Sequence, residues 1–124
     1  MKLRSLAIAA AFVFSTLALA EGSHEHAAKH GGIVVGAKSL DFEVVARPEL
    51  LQVYVSDHGK PVKLDGATGK VTLLNGAEKT EVLLLPAGGR FEARGVFKVA
   101  AGTKGLASVT LAGKGPVVVR FAVK

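Results

Sequence analysis

Residues 40–56 read LDFEVVARPELLQVYVS, which places two alternating apolar and polar runs on either side of Arg47-Pro48-Glu49. A period of two is typical of β-strands that turn one face to a core and the other to water. Proline and its polar neighbours favour a turn between the two runs. This stretch therefore predicts two neighbouring antiparallel strands, and it sets the pattern for the rest of the chain.

Similar short runs continue to residue 124, separated by glycine-containing turns such as Asn75-Gly76 and Gly88-Gly89. Such pairs are hairpin signals because they adopt positive φ at low cost. Strands are predicted at residues 33–35, 40–46, 51–56, 70–74, 80–85, 91–94, 106–111 and 117–124. We expect an all-β fold, an immunoglobulin-like antiparallel β-sandwich of about seven to eight short strands over residues 33–124.

The inward positions of these strands form the predicted core. Burial of each such side chain contributes roughly 1.5–3 kcal/mol relative to exposure. The predicted core residues are Phe42, Val44, Val53, Val55, Leu73, Val82, Leu84, Phe91, Val109, Val119 and Phe121.

The first twenty residues have the layout of a secretory signal peptide: a basic start at Lys2 and Arg4, an apolar run over 6–19, and small residues up to Ala20. We predict cleavage after Ala20 and a periplasmic location. The apolar run is about 14 residues, against the roughly 20 needed to span a bilayer, so no membrane attachment is expected after cleavage.

The predicted mature chain has 104 residues and a net charge of +4, with no cysteine. It therefore has no disulfide, and it offers no thiolate ligand for Cu(I) or an iron–sulfur cluster. Nitrogen and oxygen ligands remain, which suit borderline divalent ions.

Three of the four histidines, His24, His26 and His30, lie in a predicted flexible tail over residues 21–32. Imidazole is the side chain most often used to bind borderline metals. His24 and His26 share one side of an extended chain, whereas a helical turn would bring His26 and His30 together. We predict that the tail binds Cu(II), Zn(II) or Ni(II), and the alternative is a solvated linker with incidental histidines.

His58 is a candidate fourth ligand, in a turn where Asp57 could orient its ring. The alternative is that it only satisfies the turn. Ser56, Asp57 and His58 are consecutive and cannot form a catalytic triad, whose members must meet in space. Basic residues are scattered and aromatic residues are few, which argues against nucleic-acid binding. We predict that the chain is not an enzyme.

The runs at residues 30–35 (HGGIVV), 41–45 (DFEVV) and 53–62 (VYVSDHGKPV) resemble small exported proteobacterial His-Gly-Gly proteins. They are also similar to the N-terminal β-rich region of heavy-metal efflux periplasmic adaptor subunits. The resemblance covers residues 21–124 and implies a periplasmic role near metal export, with an efflux-system component as a partner. The chain lacks the helical hairpin and barrel regions of a complete adaptor, so the resemblance does not extend to bridging a pump and a channel.

Together these features predict non-enzymatic periplasmic binding of Cu(II), Zn(II) or Ni(II), for buffering or delivery linked to metal efflux and heavy-metal resistance. A different class of function stays open. The chain could be a periplasmic protein–protein interaction module that docks a partner at a strand edge, with the histidines incidental.

Overall fold

The structure, a computed structural model, describes residues 27–124 and contains nine strands and no helix in that range. The strands are β1 (Ile33–Ala37), β2 (Leu40–Arg47), β3 (Leu50–Asp57), β4 (Lys60–Pro61), β5 (Thr68–Asn75), β6 (Glu78–Pro86), β7 (Phe91–Arg94), β8 (Lys104–Thr110) and β9 (Pro116–Ala122). Over these residues, no helical segment has the length and apolar character required to cross a membrane. The all-β class is confirmed.

The strands form one antiparallel sheet in the order β1-β2-β3-β7-β6-β5-β8-β9, with β4 paired to β3. β6 changes partner along its length: residues up to Leu84 pair with β5, and Leu85 and Pro86 pair with β7. β1 and β9, at the two ends of this order, contact each other. The sheet therefore nearly closes on itself around the core.

Ten of the eleven predicted core side chains are buried, and Val82 is partly buried against them. The prediction omitted six further apolar residues that are also buried. These are Val45, Leu51, Leu64, Ala67, Val71 and Ala107.

Two hairpin turns carry non-glycine residues with positive φ. Lys38 and Ser39, with φ of 52° and 66°, join β1 to β2, and His58, with φ of 51°, precedes Gly59 between β3 and β4. Positive φ at both central positions is the geometry that matches the twist of the flanking strands. The sequence did not predict the first turn because neither residue is a usual hairpin signal.

Both turns lie at the same end of the sheet. Asp41 pairs with Ser56 across β2 and β3. The turn at residues 38–39 lies just before Asp41 and the turn at residues 58–59 lies just after Ser56, so both turns are at this end of the two strands.

At another part of the surface, Gly31, Gly32, Val123 and Lys124 line one groove. The segment before β1 and the end of the chain are thus close together.

Gly105 on β8 allows a close cross-strand packing of Phe121 on β9. A Cβ added to Gly105 would lie 2.2–2.8 Å from three ring atoms of Phe121. Such distances are far inside van der Waals contact, so the ring must leave its place in the core if a side chain is added.

We predict that Gly105→Ala lowers the free energy of unfolding by about 1–3 kcal/mol, the usual cost of overpacking. Urea unfolding followed by circular dichroism measures this. Gly115→Ala is the matched control, because a Cβ there meets nothing within 4 Å. Equal stability of the two variants would contradict the packing described here.

Candidate functional site

A groove of about 330 Å³ lies on the face of β2 and β3 that points away from the core. Strand alternation puts Asp41 and Glu43 on this face of β2, and their cross-strand partners Ser56 and Tyr54 on β3. His30, from the segment before β1, also lines it. The groove therefore gathers an imidazole, two carboxylates, a phenol ring and a hydroxyl.

Glu43 holds the segment before β1 through four hydrogen bonds, which we call the Glu43 clamp. Its Oε1 accepts from the Lys29 N–H at 3.1 Å and contacts His30 Nδ1 at 2.9 Å. Its Oε2 accepts from the N–H groups of His30 at 2.7 Å and Gly32 at 2.9 Å. Three backbone donors around one carboxylate form a concave anion site of the kind called a nest.

The clamp keeps a buried carboxylate charged. Burial of Glu43, which is only 7% exposed, acts to raise its pKa. The hydrogen bonds from the His30 ring and from the N–H groups of Gly32, Lys29 and His30 outweigh burial, so the pKa lies below its ordinary value of 4.5. At neutral pH Glu43 is therefore a carboxylate, which can only accept hydrogen bonds.

This charge state decides the tautomer of His30. Because ionised Glu43 can only accept, Nδ1 of the His30 ring must carry the proton in their 2.9 Å contact. In the neutral ring the other nitrogen, Nε2, then has a free lone pair. A histidine that donates one N–H to a carboxylate and offers the other nitrogen is the usual arrangement of a metal ligand.

Tyr54 fixes the plane of the same ring. The His30 and Tyr54 rings are stacked, with centroids 3.6 Å apart and an interplanar angle of 2°. The His30 side chain still keeps 41% of its surface exposed. The ring is thus held by Glu43 at one edge and by Tyr54 at one face, and it remains accessible from solvent.

The two glycines after His30 are explained by this arrangement. Gly31 has a φ of 74°, a value that favours glycine. A Cβ on Gly32 would lie 2.5 Å from the carbonyl oxygen of Val44 and 3.0 Å from Cγ of Glu43. Only a residue without a side chain lets the backbone approach β2 closely enough to donate to Glu43.

A second polar network continues from Tyr54 across β3 and β7. The Tyr54 hydroxyl donates to Gln52 Oε1 at 3.2 Å, and Gln52 Nε2 donates to Glu92 Oε1 at 2.9 Å. Arg90 and Arg94 also donate to Glu92. The Gln52 hydrogen bond, helped by the two arginines, outweighs partial burial and lowers the pKa of Glu92 to about 2.

His58 lies at the tip of the β3–β4 hairpin, where its side chain is 87% exposed and its Nδ1 is 2.6 Å from Asp57 Oδ1. The predicted orienting role of Asp57 thus has a contact that fits it. Gly59, the next residue, lines the same groove as Ala27 and His30. His24 and His26 lie outside the described residues.

Within residues 27–124, no group of three or more His, Cys, Asp or Glu side chains is already arranged to hold a metal ion. Of the predicted ligands that the structure describes, His30 is oriented by neighbours and His58 is exposed on a turn. The two histidines line different grooves and do not form a closed site.

The sequence did not identify Glu43 or Tyr54 as parts of a site. Both occupy the polar phase of alternating runs, which was interpreted as a face open to water. Glu43 is instead buried and bound by Lys29, His30 and Gly32. The sequence did contain one indication, because Glu43 lies between the apolar residues Phe42 and Val44. It could not show which N–H groups donate hydrogen bonds to the Glu43 carboxylate.

Comparison of the chain with protein-family models, with curated proteins and with solved structures finds no match.

We predict that Gly32→Ala releases the Glu43 clamp, because the new Cβ clashes with the Val44 backbone. Hydrogen exchange at the His30 N–H should become faster by about tenfold or more, since a bond to a charged acceptor contributes roughly 1.5–3 kcal/mol. The emission of Tyr54, the only tyrosine in a chain without tryptophan, should change as its stacked partner leaves. Gly36→Ala is the control, because its Cβ makes only ordinary contacts of 3.4 Å or more. Unchanged exchange in Gly32→Ala would contradict the clamp.

We also predict that the free energy of unfolding falls as the pH drops from 4.5 toward about 2. Both Glu43 and Glu92 have a lowered pKa in the folded state, so their contribution is complete above their ordinary pKa and is lost as they take up protons. Urea unfolding at several pH values measures the slope. Glu43→Gln and Glu92→Gln should each make the slope shallower, and Glu49→Gln, at an exposed turn position, should not. An identical slope in all three variants would exclude this explanation.

Proposed function

We propose that the mature protein is a non-enzymatic periplasmic binder of the divalent ions Cu(II), Zn(II) or Ni(II), with His30 as its oriented ligand. The observation that carries this proposal is the contact between His30 Nδ1 and the ionised Glu43, which leaves Nε2 free to coordinate. A ligand whose tautomer and ring plane are fixed in advance loses less freedom on binding than a mobile side chain does.

The other predicted ligands are close to His30 along the chain or across the groove. His26 directly precedes Ala27, and Ala27 lines the groove together with His30 and Gly59. His58 precedes Gly59 on the hairpin. The short separation of His24 and His26 from His30 in the sequence, and the position of His58 beside Gly59, support the proposal that these residues complete the coordination of an ion held by His30.

Such a site suits buffering or delivery. The ligands must come together when the ion arrives, which costs conformational entropy and keeps the affinity modest. Imidazole also releases metal when it takes up a proton, so a more acidic environment favours transfer. Exchangeable binding is what a protein needs if it passes ions to an efflux-system component.

The proposal includes the signal peptide over residues 1–20, the tail over residues 21–32 and a link to heavy-metal resistance. An immunoglobulin-like arrangement of two packed sheets is likewise proposed, as a finer description of the antiparallel fold. The proposed link to metal export rests on the resemblance of residues 30–35, 41–45 and 53–62 to the N-terminal β-rich region of heavy-metal efflux periplasmic adaptor subunits.

The test is a calorimetric titration of the mature protein with Cu(II), Zn(II) and Ni(II). We expect the variant His24→Ala/His26→Ala/His30→Ala to lose binding. Glu43→Gln should weaken binding by about 10–100-fold, the usual effect of removing the carboxylate that orients a ligand histidine. His58→Ala measures the contribution of the hairpin separately. Glu49→Gln is the matched control and should bind as the wild type does.

Equal binding by the wild type and the triple variant would reject the assignment of these histidines. Unchanged binding in Glu43→Gln, with binding lost in the triple variant, would leave the tail as the binding element and remove His30 orientation from the explanation.

The second candidate is an interaction module, and one observation favours it. Leu83 and Leu85 on β6 are 76% and 70% exposed. The two leucines are two residues apart and therefore lie on the same face of the strand, and contiguous exposed apolar surface is typical of sites that dock other proteins. This function requires no metal, so a mature protein that ignores all three ions in the titration would favour the interaction module.

A further inference from the structure

Residues 27–37, the segment before β1 together with β1 itself, make up one element, which we call the arm. β1 is the end strand of the sheet and is hydrogen-bonded to β2 alone among the described strands. The Glu43 clamp ties the segment to the same strand, His30 stacks on Tyr54 of β3, and β1 packs against β9. All of these contacts join the arm to residues that follow the β1–β2 turn, so a second copy of the chain offers the same set.

The turn that follows the arm is short, and its backbone conformation is costly. Lys38 and Ser39 have φ of 52° and 66°. In this left-handed region the Cβ of an L-residue crowds the following carbonyl oxygen, a cost that glycine avoids. An extended backbone at these two residues removes the cost, but it also opens the hairpin. Short hinge loops under strain favour the exchange of an element between copies.

The strand register continues without a gap when this turn is extended. β1 pairs with β2 up to Ala37 and Leu40, which leaves two residues in the turn. If β1 of one copy pairs with β2 of a second copy in the same register, the next pair is Lys38 with Ser39 of the partner subunit. The two turn residues thus become two further ladder pairs, and a two-fold axis passes between them.

The rest of the molecule is compatible with this arrangement. β3 lies on the side of β2 away from β1, so the β3 strands of the two copies lie on opposite sides of the shared ladder. Residues paired across strands share a face, and successive residues alternate between faces. The two Lys38 side chains therefore lie on opposite faces, and their like charges are not set against each other.

We infer that two copies of the chain exchange their arms and form a two-fold symmetric dimer. Each β2 then pairs with the β1 of the partner, and each Glu43 carboxylate accepts hydrogen bonds from the partner's arm in place of its own. The contacts within one chain are remade between two chains, and the cost of the turn is removed. Association costs translational and rotational freedom, so the share of dimer rises with protein concentration.

The exchange makes the groove a site of two chains. The ring of His30 comes from one chain, and Tyr54 and Gly59 at the same groove come from the other. No metal takes part in the exchange, so this inference goes beyond the proposed function and does not depend on it.

An engineered disulfide distinguishes exchanged arms from closed hairpins, because the chain has no cysteine of its own. Gly36 lies opposite Asp41 across β1 and β2. Residues opposite each other on antiparallel strands have Cα atoms about 4.5–5.5 Å apart, a distance that a disulfide spans. The variant Gly36→Cys/Asp41→Cys is refolded at low and high concentration and oxidised with diamide. We expect a covalent dimer on a non-reducing gel, increasing with concentration, because residue 36 of each chain faces residue 41 of the other.

The control for chance collision is Gly115→Cys, a lone cysteine at an exposed position where a Cβ meets nothing within 4 Å. A covalent dimer no more abundant than in this control would overturn the inference. A disulfide formed only within single chains would also overturn it, even if the protein dimerises, because the dimer would then use another surface.

A second measurement uses no cysteine. Sedimentation gives the dimer dissociation constant of the mature wild type and of Lys38→Asn/Ser39→Gly, each refolded at several concentrations. Asn-Gly adopts this turn cheaply, so we expect the constant to rise by at least about tenfold in the variant. Lys63→Asn, at an exposed position outside the turn, is the matched control for charge and should dimerise as the wild type does.

Two results of the sedimentation experiment would overturn the inference. One is a wild type that stays monomeric at every concentration, and the other is an equal dissociation constant for the wild type and the Asn-Gly variant. Urea unfolding of each variant verifies that the sheet is folded, so a change of assembly is not a loss of structure.

Discussion

The whole site depends on one buried carboxylate that is fully supplied with donors. Taking a charged group out of water is costly unless hydrogen bonds replace the lost solvent. The Glu43 carboxylate accepts such hydrogen bonds from three backbone N–H groups and from the His30 ring, all in the segment before β1. The same carboxylate thereby directs the path of the chain toward the groove and decides which nitrogen of His30 is protonated. The Glu43 carboxylate thus determines both the position of the segment before β1 and the tautomer of His30.

Much of the fold follows from period-two patterns. The strands around residues 40–56 were predicted because apolar and polar residues alternate there, and their inward side chains are buried as expected. The Lys38-Ser39 turn was missed because pairing of β1 with β2, and not the identity of these residues, imposes positive φ. Tertiary pairing overrides local preference at such positions.

The site was predictable only in part. The concentration of histidines near the start of the chain identified His30 as a candidate ligand. The partners that orient it, Glu43 and Tyr54, come from positions 13 and 24 residues later. Strand alternation shows which face such residues share, but it cannot show that a preceding segment folds back onto that face. The register of β2 with β3 brings Glu43 and Tyr54 side by side, and a single sequence does not determine this contact.

The groove shared by the segment before β1 and the last residues has a practical consequence for work with this protein. Gly31 and Gly32 lie beside Val123 and Lys124 at this groove. A histidine affinity tag attached after Lys124 would begin close to Gly31, the residue that follows His30, and would add competing imidazoles at high local concentration. Metal affinities measured on such a fusion would describe the tag and the natural ligands together. Purification through a cleavable tag, with complete removal before any titration, avoids this confusion.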